Sequence, residues 1–167
     1  MITEMKIASL PTGRHLGEPM VAIATFGGVG LLPVAPGTWG SLAALPFGVL
    51  LASIGGWPLL VVAGIIAAGI GYMATDAYIH ATGRDDPPEV VIDEVATQWI
   101  VMACVPLSTA GIIAAFFMFR LFDTIKPWPA SWADQEVEGG AGVMLDDLIA
   151  GAFAIPPLLA LEIMGFF

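Results

Sequence analysis

Three long stretches of this chain are apolar and contain no charged residue. They run from 19 to 75, from 95 to 119 and from 148 to 161. Uncharged runs of this length are typical of segments that cross or enter a bilayer. The hydropathy pattern therefore predicts membrane-embedded helices.

Glycine and proline interrupt these stretches and divide them into shorter helices. The run 55–58 reads Gly-Gly-Trp-Pro and predicts a tight turn between helices 41–54 and 59–79. Pro106 separates helix 90–105 from helix 109–125, which Ser108 or Thr109 can cap. A last helix is expected from about 147 to 167, and residues 21–32 would form only about 18 Å of helix, a length that suits a re-entrant segment.

These elements predict an all-α membrane protein built from helical hairpins. We expect about six helical segments, some of them re-entrant, within a single domain that covers residues 1–167. Residues 1–18 form a short polar N-terminal segment. If both hairpins close on the same side of the membrane, their open ends bring distant polar residues together.

Acidic residues dominate the charge and are concentrated near those open ends. The chain is 57% hydrophobic and has a formal net charge of -10, with 15 Asp and Glu against 5 Lys and Arg. Twelve of the acids lie between residues 76 and 147. This balance disfavours nucleic acid as a partner.

Several of these acids border or enter apolar helices, where an unpaired carboxylate is costly and often marks a functional site. Oxygen-rich sites without His or Cys suit Mg²⁺. The alternative is that the acids are solvated groups at helix N-termini, which we expect for Glu89, Asp134, Glu136 and Glu138. The candidate metal ligands are Asp86, Asp93, Glu94, Asp123, Asp146 and Asp147.

Two basic residues lie among the acids, at a spacing of three residues on either side of Asp123. Arg120 and Lys126 are equally consistent with phosphate ligands and with membrane-surface anchors. A cation transporter or channel subunit is therefore a second functional hypothesis. Its conduction path would need acids distributed across the membrane depth, whereas this pattern places them at one predicted end.

Four segments together resemble the phosphatidylglycerophosphatase A family of bacterial membrane phosphatases. They are LLPVAPGTWGSLAALP at 31–46, DPPEVVIDEVATQW at 86–99, FRLFDTIKPWP at 119–129 and GGAGVMLDDLIAG at 139–151. Thr97 departs from the family pattern, which often has Gly at that position. The resemblance implies a mostly helical, multi-pass protein of the bacterial inner membrane, with its active site facing the cytoplasm.

The resemblance also implies an activity and a set of site residues. The activity is Mg²⁺-dependent removal of the terminal phosphate of phosphatidylglycerophosphate, which yields phosphatidylglycerol. On this hypothesis Asp93, Glu94, Asp146 and Asp147 bind Mg²⁺, with Asp86 as a further candidate ligand, and Asp123 is another ligand or the base. Arg120 and Lys126 hold phosphate oxygens, and Thr38 and Ser41 complete the contact with phosphate or glycerol. The oligomeric state and the nucleophile, water or an aspartate, stay open.

Overall fold

The computed structural model describes residues 15–167, and this part of the chain is all helical. The predicted polar segment 1–18 falls largely outside the described residues. The expected helical membrane architecture of about six segments is confirmed. The helices are α1 (Pro19–Ala24), α2 (Pro36–Thr82), α3 (Ile92–Met102), α4 (Thr109–Ile125), α5 (Ala130–Glu136) and α6 (Gly139–Ile163), with a 3₁₀ turn at Val29–Leu31.

Helix α2 is bent back on itself at Gly56, whose φ of 65° and ψ of -163° are not helical. Gly40 and Gly71 lie on different halves of α2, yet both face the start of α3. Gly48 and Gly64 both face the later turns of α3. The two halves are therefore antiparallel, and the predicted hairpin with its turn near Gly56 is confirmed. Glycine suits the bend because a residue without Cβ adopts positive φ freely.

The second hairpin joins α3 and α4 through residues 103–108. Helix α4 has the predicted bounds, and the Ser108 hydroxyl caps it by accepting a 3.0 Å hydrogen bond from the Gly111 N–H. Helix α3 ends at Met102, three residues before the predicted end, and begins two residues later than predicted. Gly56 and Pro106 line the same cavity, so both hairpins close on the same side. We call this side the closed end and the opposite side the open end.

The start of α6 was predicted wrongly. The helix begins at Gly139 and not near Asp147, because the glycines at its start permit close packing instead of ending the helix. A Cβ on Gly140 would lie 2.7 Å from the Tyr72 carbonyl oxygen, and one on Gly142 would overlap the Val137 carbonyl. Asp146 and Asp147 consequently lie well inside a helix, and a helix N-terminus does not explain their burial.

The N-terminal apolar segment is a short helix followed by a turn. Helix α1 has six residues, and the 3₁₀ turn at Val29–Leu31 follows it. The Val91 N–H donates a 2.9 Å hydrogen bond to the Ala24 carbonyl, so α1 is fixed to the start of α3. Helix α5 was not predicted, and it covers part of the open end.

Helices α2 and α6 are long and apolar enough to span a membrane. The most apolar 18-residue window of α2 has a mean hydropathy of 2.2, and only 11% of its residues are buried. Ile54, Ile65 and Ile66 are each more than half exposed. An outward apolar surface of this kind is typical of helices that face lipid.

Candidate active site

A polar cavity of about 640 Å³ occupies the open end. The start of α2, the α2–α3 loop, the start of α3, the end of α4, α5 and the first turns of α6 all contribute to its walls. The predicted site residues that line it are Asp86, Asp93, Glu94, Arg120, Asp123, Lys126, Asp146 and Asp147. The hairpin geometry therefore brings together residues that are far apart in the sequence.

Three carboxylates converge inside this cavity. Oxygen atoms of Asp93, Glu94 and Asp147 all lie within 4.8 Å of one another. Asp93 and Asp147 are buried, and Glu94 is nearly so. Adjacent residues on the first turn of α3 supply two of the groups, and α6 supplies the third. We call Asp93, Glu94 and Asp147 the carboxylate triad.

The triad has the properties of a site for a hard divalent cation. Burial raises the pKa of Asp93 well above its ordinary value, and the adjacent Glu94 carboxylate raises it further. Both effects arise because an additional negative charge is unfavourable here unless a cation balances it. One oxygen each of Asp93, Glu94 and Asp147 is buried without a hydrogen-bond partner. An all-oxygen donor set that concentrates negative charge matches the preference of Mg²⁺. These residues therefore fit a divalent cation.

Arg120 lies beside the triad and is held by three side chains. It forms a 2.6 Å ion pair with Asp123 and approaches Glu94 at 3.7 Å. Its guanidinium also donates a 3.5 Å hydrogen bond to the Ser41 hydroxyl of α2. Because only 18% of its side chain is exposed, Arg120 is fixed in orientation. A fixed guanidinium at a cavity wall is suited to binding phosphate oxygens.

Lys126 forms the second cationic group of the cavity. Its ammonium donates to Asp134 of α5 and to Asp146 of α6. Partial burial lowers the pKa of Lys126, but the hydrogen bonds to the two carboxylates outweigh this effect and raise the pKa above its ordinary value. Lys126 is therefore charged at neutral pH. It adopts a left-handed conformation with φ of 45°, which turns the chain after α4 towards α5.

The remaining predicted residues lie at the edge of the cavity or behind its wall. Asp86 is exposed in the loop between α2 and α3. Thr38 is half buried on the first turn of α2 and does not line the cavity. Ser41 is fully buried and is connected to the cavity through Arg120. Ser41 is consequently placed to support the wall through Arg120.

Two features of the site were missed from the sequence. Gly37 touches Glu94 so closely that a Cβ there would overlap the carboxylate, so any larger residue at position 37 would force the Glu94 side chain to move. Glu89 was expected to be solvated but is only 3% exposed, because Tyr78 and Arg84 donate hydrogen bonds of 2.8 and 2.7 Å to it. This network fixes the loop that carries Asp86. Asp134, Glu136 and Glu138 are exposed, as expected.

Comparison with known proteins identifies the family. A family profile described as Phosphatidylglycerophosphatase A matches residues 22–162. A Haemophilus influenzae protein named phosphatidylglycerophosphatase A is 36% identical over 146 residues, which cover 87% of this chain and 90% of that protein. The protein of the same name in Escherichia coli is 36% identical over 83% of this chain and 81% of its own length.

A third relative carries a different name. A Bacteroides thetaiotaomicron protein, provisionally named a phosphatidylinositol-3-phosphatase, is 36% identical over 80% of this chain and 87% of its own length. No solved structure matches the chain significantly. The helical membrane fold and the match over most of the chain agree with the resemblance noted from the sequence motifs. The chain belongs to the phosphatidylglycerophosphatase A family and is a phosphatase.

Proposed function

We propose that this protein hydrolyses the terminal phosphomonoester of phosphatidylglycerophosphate with the help of Mg²⁺, at the cytoplasmic surface of the bacterial inner membrane. The observation that carries the proposal is the convergence of three carboxylates beside two fixed cations in one cavity. A phosphomonoesterase needs both a cation site and groups that hold phosphate oxygens. The substrate is the one named in the family and in two of the relatives.

The carboxylate triad would hold Mg²⁺, which polarises phosphoryl oxygens and stabilises their developing charge when it is bound. Arg120 and Lys126, which both line the cavity, would hold the phosphate oxygens. Asp123 fixes Arg120 through their 2.6 Å ion pair, and this pairing favours a positioning role over that of a base. The first predicted role of Asp123, as a metal ligand, is less favoured for the same reason.

Asp146 is the group that we assign to the attacking water. One of its oxygens accepts from Lys126, and the other is buried without a partner. A carboxylate held in this way can accept a hydrogen bond from water and orient it towards phosphorus. Asp93 would act as a ligand of the cation, since its side chain belongs to the triad.

The distribution of basic residues supports the proposed side of the membrane. Arg84, Arg120 and Lys126 are all at the open end. Basic residues favour the cytoplasmic side of membrane proteins. The antiparallel halves of α2 together with α6 would make the protein multi-pass, with the cavity at the depth of the lipid headgroups.

The rival hypothesis of a cation transporter or channel is less favoured. Such a protein would need acidic groups along a path across the membrane. In the part of the chain that the structure describes, the buried carboxylates are at the open end, and Glu162 lines the cavity at the closed end. The apolar cores between these two ends do not suit ion passage.

Phosphate release by the purified full-length chain tests the proposal. Phosphatidylglycerophosphate should be hydrolysed much faster than soluble glycerol 3-phosphate, and the variants Asp93→Asn and Asp146→Asn should each be strongly impaired. Full activity in both variants would show that the metal and water assignments are wrong. Release from neither substrate by the folded wild-type protein would end the phosphatase proposal.

Sidedness is tested by labelling in intact cells. In a Cys104→Ser background, a cysteine at Thr82 should react with a membrane-impermeant maleimide only after lysis. A cysteine at Ser53, near the closed end, should react in intact cells. The reverse pattern would place the cavity outside the cytoplasm.

A further inference from the structure

Two polar residues lie deeper in the helix bundle than the carboxylate triad. Thr97 is 1% exposed and Gln98 is fully buried. The Thr97 hydroxyl and both polar atoms of the Gln98 amide have no hydrogen-bond partner among the described residues. Burying such groups without a partner is unfavourable, because they lose their hydrogen bonds to water. A functional ligand that satisfies them would explain why they are present.

The helix geometry relates both residues to the triad. Thr97 follows Asp93 by four residues and Gln98 follows Glu94 by four, so each lies one turn deeper on the same face of α3. On α6, Gly151 follows Asp147 by the same interval, and a Cβ there would overlap the Thr97 side chain. The Thr97 side chain therefore lies at the interface of α3 with α6, one turn beneath the point where the carboxylates of the two helices converge.

The two layers are complementary in their hydrogen-bonding groups. The triad offers unpartnered acceptor oxygens, and the deeper layer offers a hydroxyl and an amide as donors. Although side chains four residues apart on a helix can hydrogen-bond directly, the Thr97 hydroxyl and the Gln98 amide make no such bond with the triad oxygens. Two hydrogen bonds through one water molecule can connect the two layers. Mg²⁺ in proteins usually keeps several of its waters.

We propose that Thr97 and Gln98 are positioning residues that form an outer layer of the divalent-cation site. They donate to the waters that accompany the cation and, through them, orient the inward oxygens of the triad. This inference rests on the proposed function, because it assumes that the triad holds a divalent cation.

Binding of Mn²⁺ to the purified full-length chain, measured by electron paramagnetic resonance without substrate, tests the inference. Thr97→Val keeps the shape of the side chain but removes the hydroxyl, and it should weaken Mn²⁺ binding about 10-fold or more, as is usual for groups that orient metal ligands. Thr97→Ser keeps the hydroxyl and should bind within about threefold of wild type on the same reasoning. Gln98→Met should weaken binding as Thr97→Val does.

Thr25→Val is the matched control for loss of a buried hydroxyl. The Thr25 hydroxyl is fully buried and bonds the Val21 carbonyl and the Gly28 N–H, in a part of the fold that does not line the cavity. This variant should lose thermal stability while its Mn²⁺ affinity stays that of wild type.

The outcomes separate this inference from the proposed function. Wild-type affinity in both Thr97→Val and Gln98→Met would overturn the inference and leave the triad as the cation site. Equal losses in Thr97→Val and Thr97→Ser would overturn it for Thr97, because they would show a packing effect. Absence of Mn²⁺ binding to the wild-type protein would overturn both the inference and the metal site of the proposed function.

Discussion

The open and closed ends of this protein are built from the same helices and yet differ in chemistry. Each end has a cavity, of about 640 Å³ at the open end and about 480 Å³ at the closed end. The open cavity is lined by the carboxylate triad, Arg120 and Lys126. The closed cavity is lined by apolar residues around the hairpin turns, together with Cys104 and Glu162.

This difference shows how a chain with few charges can build a dense polar site. The hairpins bring the polar ends of several helices together at the open end, while most of the residues between the two ends are apolar. On the proposed function, the fixed cations and a bound divalent cation would convert this concentration of negative charge into a site that attracts phosphate. A net charge of -10 is consequently compatible with an anionic lipid substrate.

The largest expected effect comes from neutralising Asp147, in the part of α6 that lines the open cavity. Asp147→Asn removes a member of the triad and should lower phosphate release by about 100-fold or more, since a bound cation contributes several kcal/mol to the transition state. Glu162→Gln, at the closed end of the same helix, should leave the rate nearly unchanged. Equal losses in the two variants would contradict the assignment of catalysis to the open end.

Replacing Arg120 should separate phosphate binding from cation binding. Arg120→Met should lower kcat/KM about 100-fold, because a guanidinium that holds phosphate oxygens is lost. Mn²⁺ binding should be retained or become tighter, since the variant also removes a positive charge that approaches Glu94 at 3.7 Å. Parallel losses of activity and Mn²⁺ affinity would assign Arg120 to the support of the metal ligands.

A smaller effect is expected from Gly37→Ala. The new Cβ would overlap the Glu94 carboxylate, so the triad must shift and phosphate release should fall about 10-fold. Gly69→Ala is the control on the same helix, where a Cβ would meet nothing within 4 Å. If Gly37→Ala is as active as Gly69→Ala, close approach of α2 to the triad does not matter for activity.

The smallest effect on activity is expected from Tyr78→Phe. This variant removes a 2.8 Å hydrogen bond to the buried Glu89 and should lower the free energy of unfolding by about 2 kcal/mol, which is typical of a bond to a charged group. The rate at saturating substrate should change little, because Glu89 acts through the loop and does not line the cavity. Thermal unfolding and a kcat measurement distinguish this result from direct participation in catalysis.

The sequence predicted the parts of the fold that depend on local signals. Helix α4 has the expected bounds because Ser108 caps it, and Gly56 marks the turn of the first hairpin. The start of α6 was wrong because its glycines serve close packing between helices, which depends on contacts with residues distant in sequence. Local patterns do not show such contacts.

The sequence predicted which residues line the cavity better than it predicted how they pair with one another. Eight of the predicted residues line one cavity, as the hairpin argument required. The sequence did not show that Asp147 joins Asp93 and Glu94, while Asp123 and Asp146 pair with Arg120 and Lys126. These pairings depend on the relative rotation of α3, α4 and α6, which packing determines.

The central claim is tested most directly by removing and restoring the divalent cation. Phosphate release from phosphatidylglycerophosphate by the purified full-length protein should stop when a chelator is added and should recover when excess Mg²⁺ is supplied. The same protein should stay folded throughout, as followed by circular dichroism. An unchanged rate in the presence of the chelator would contradict the proposed role of the carboxylate triad.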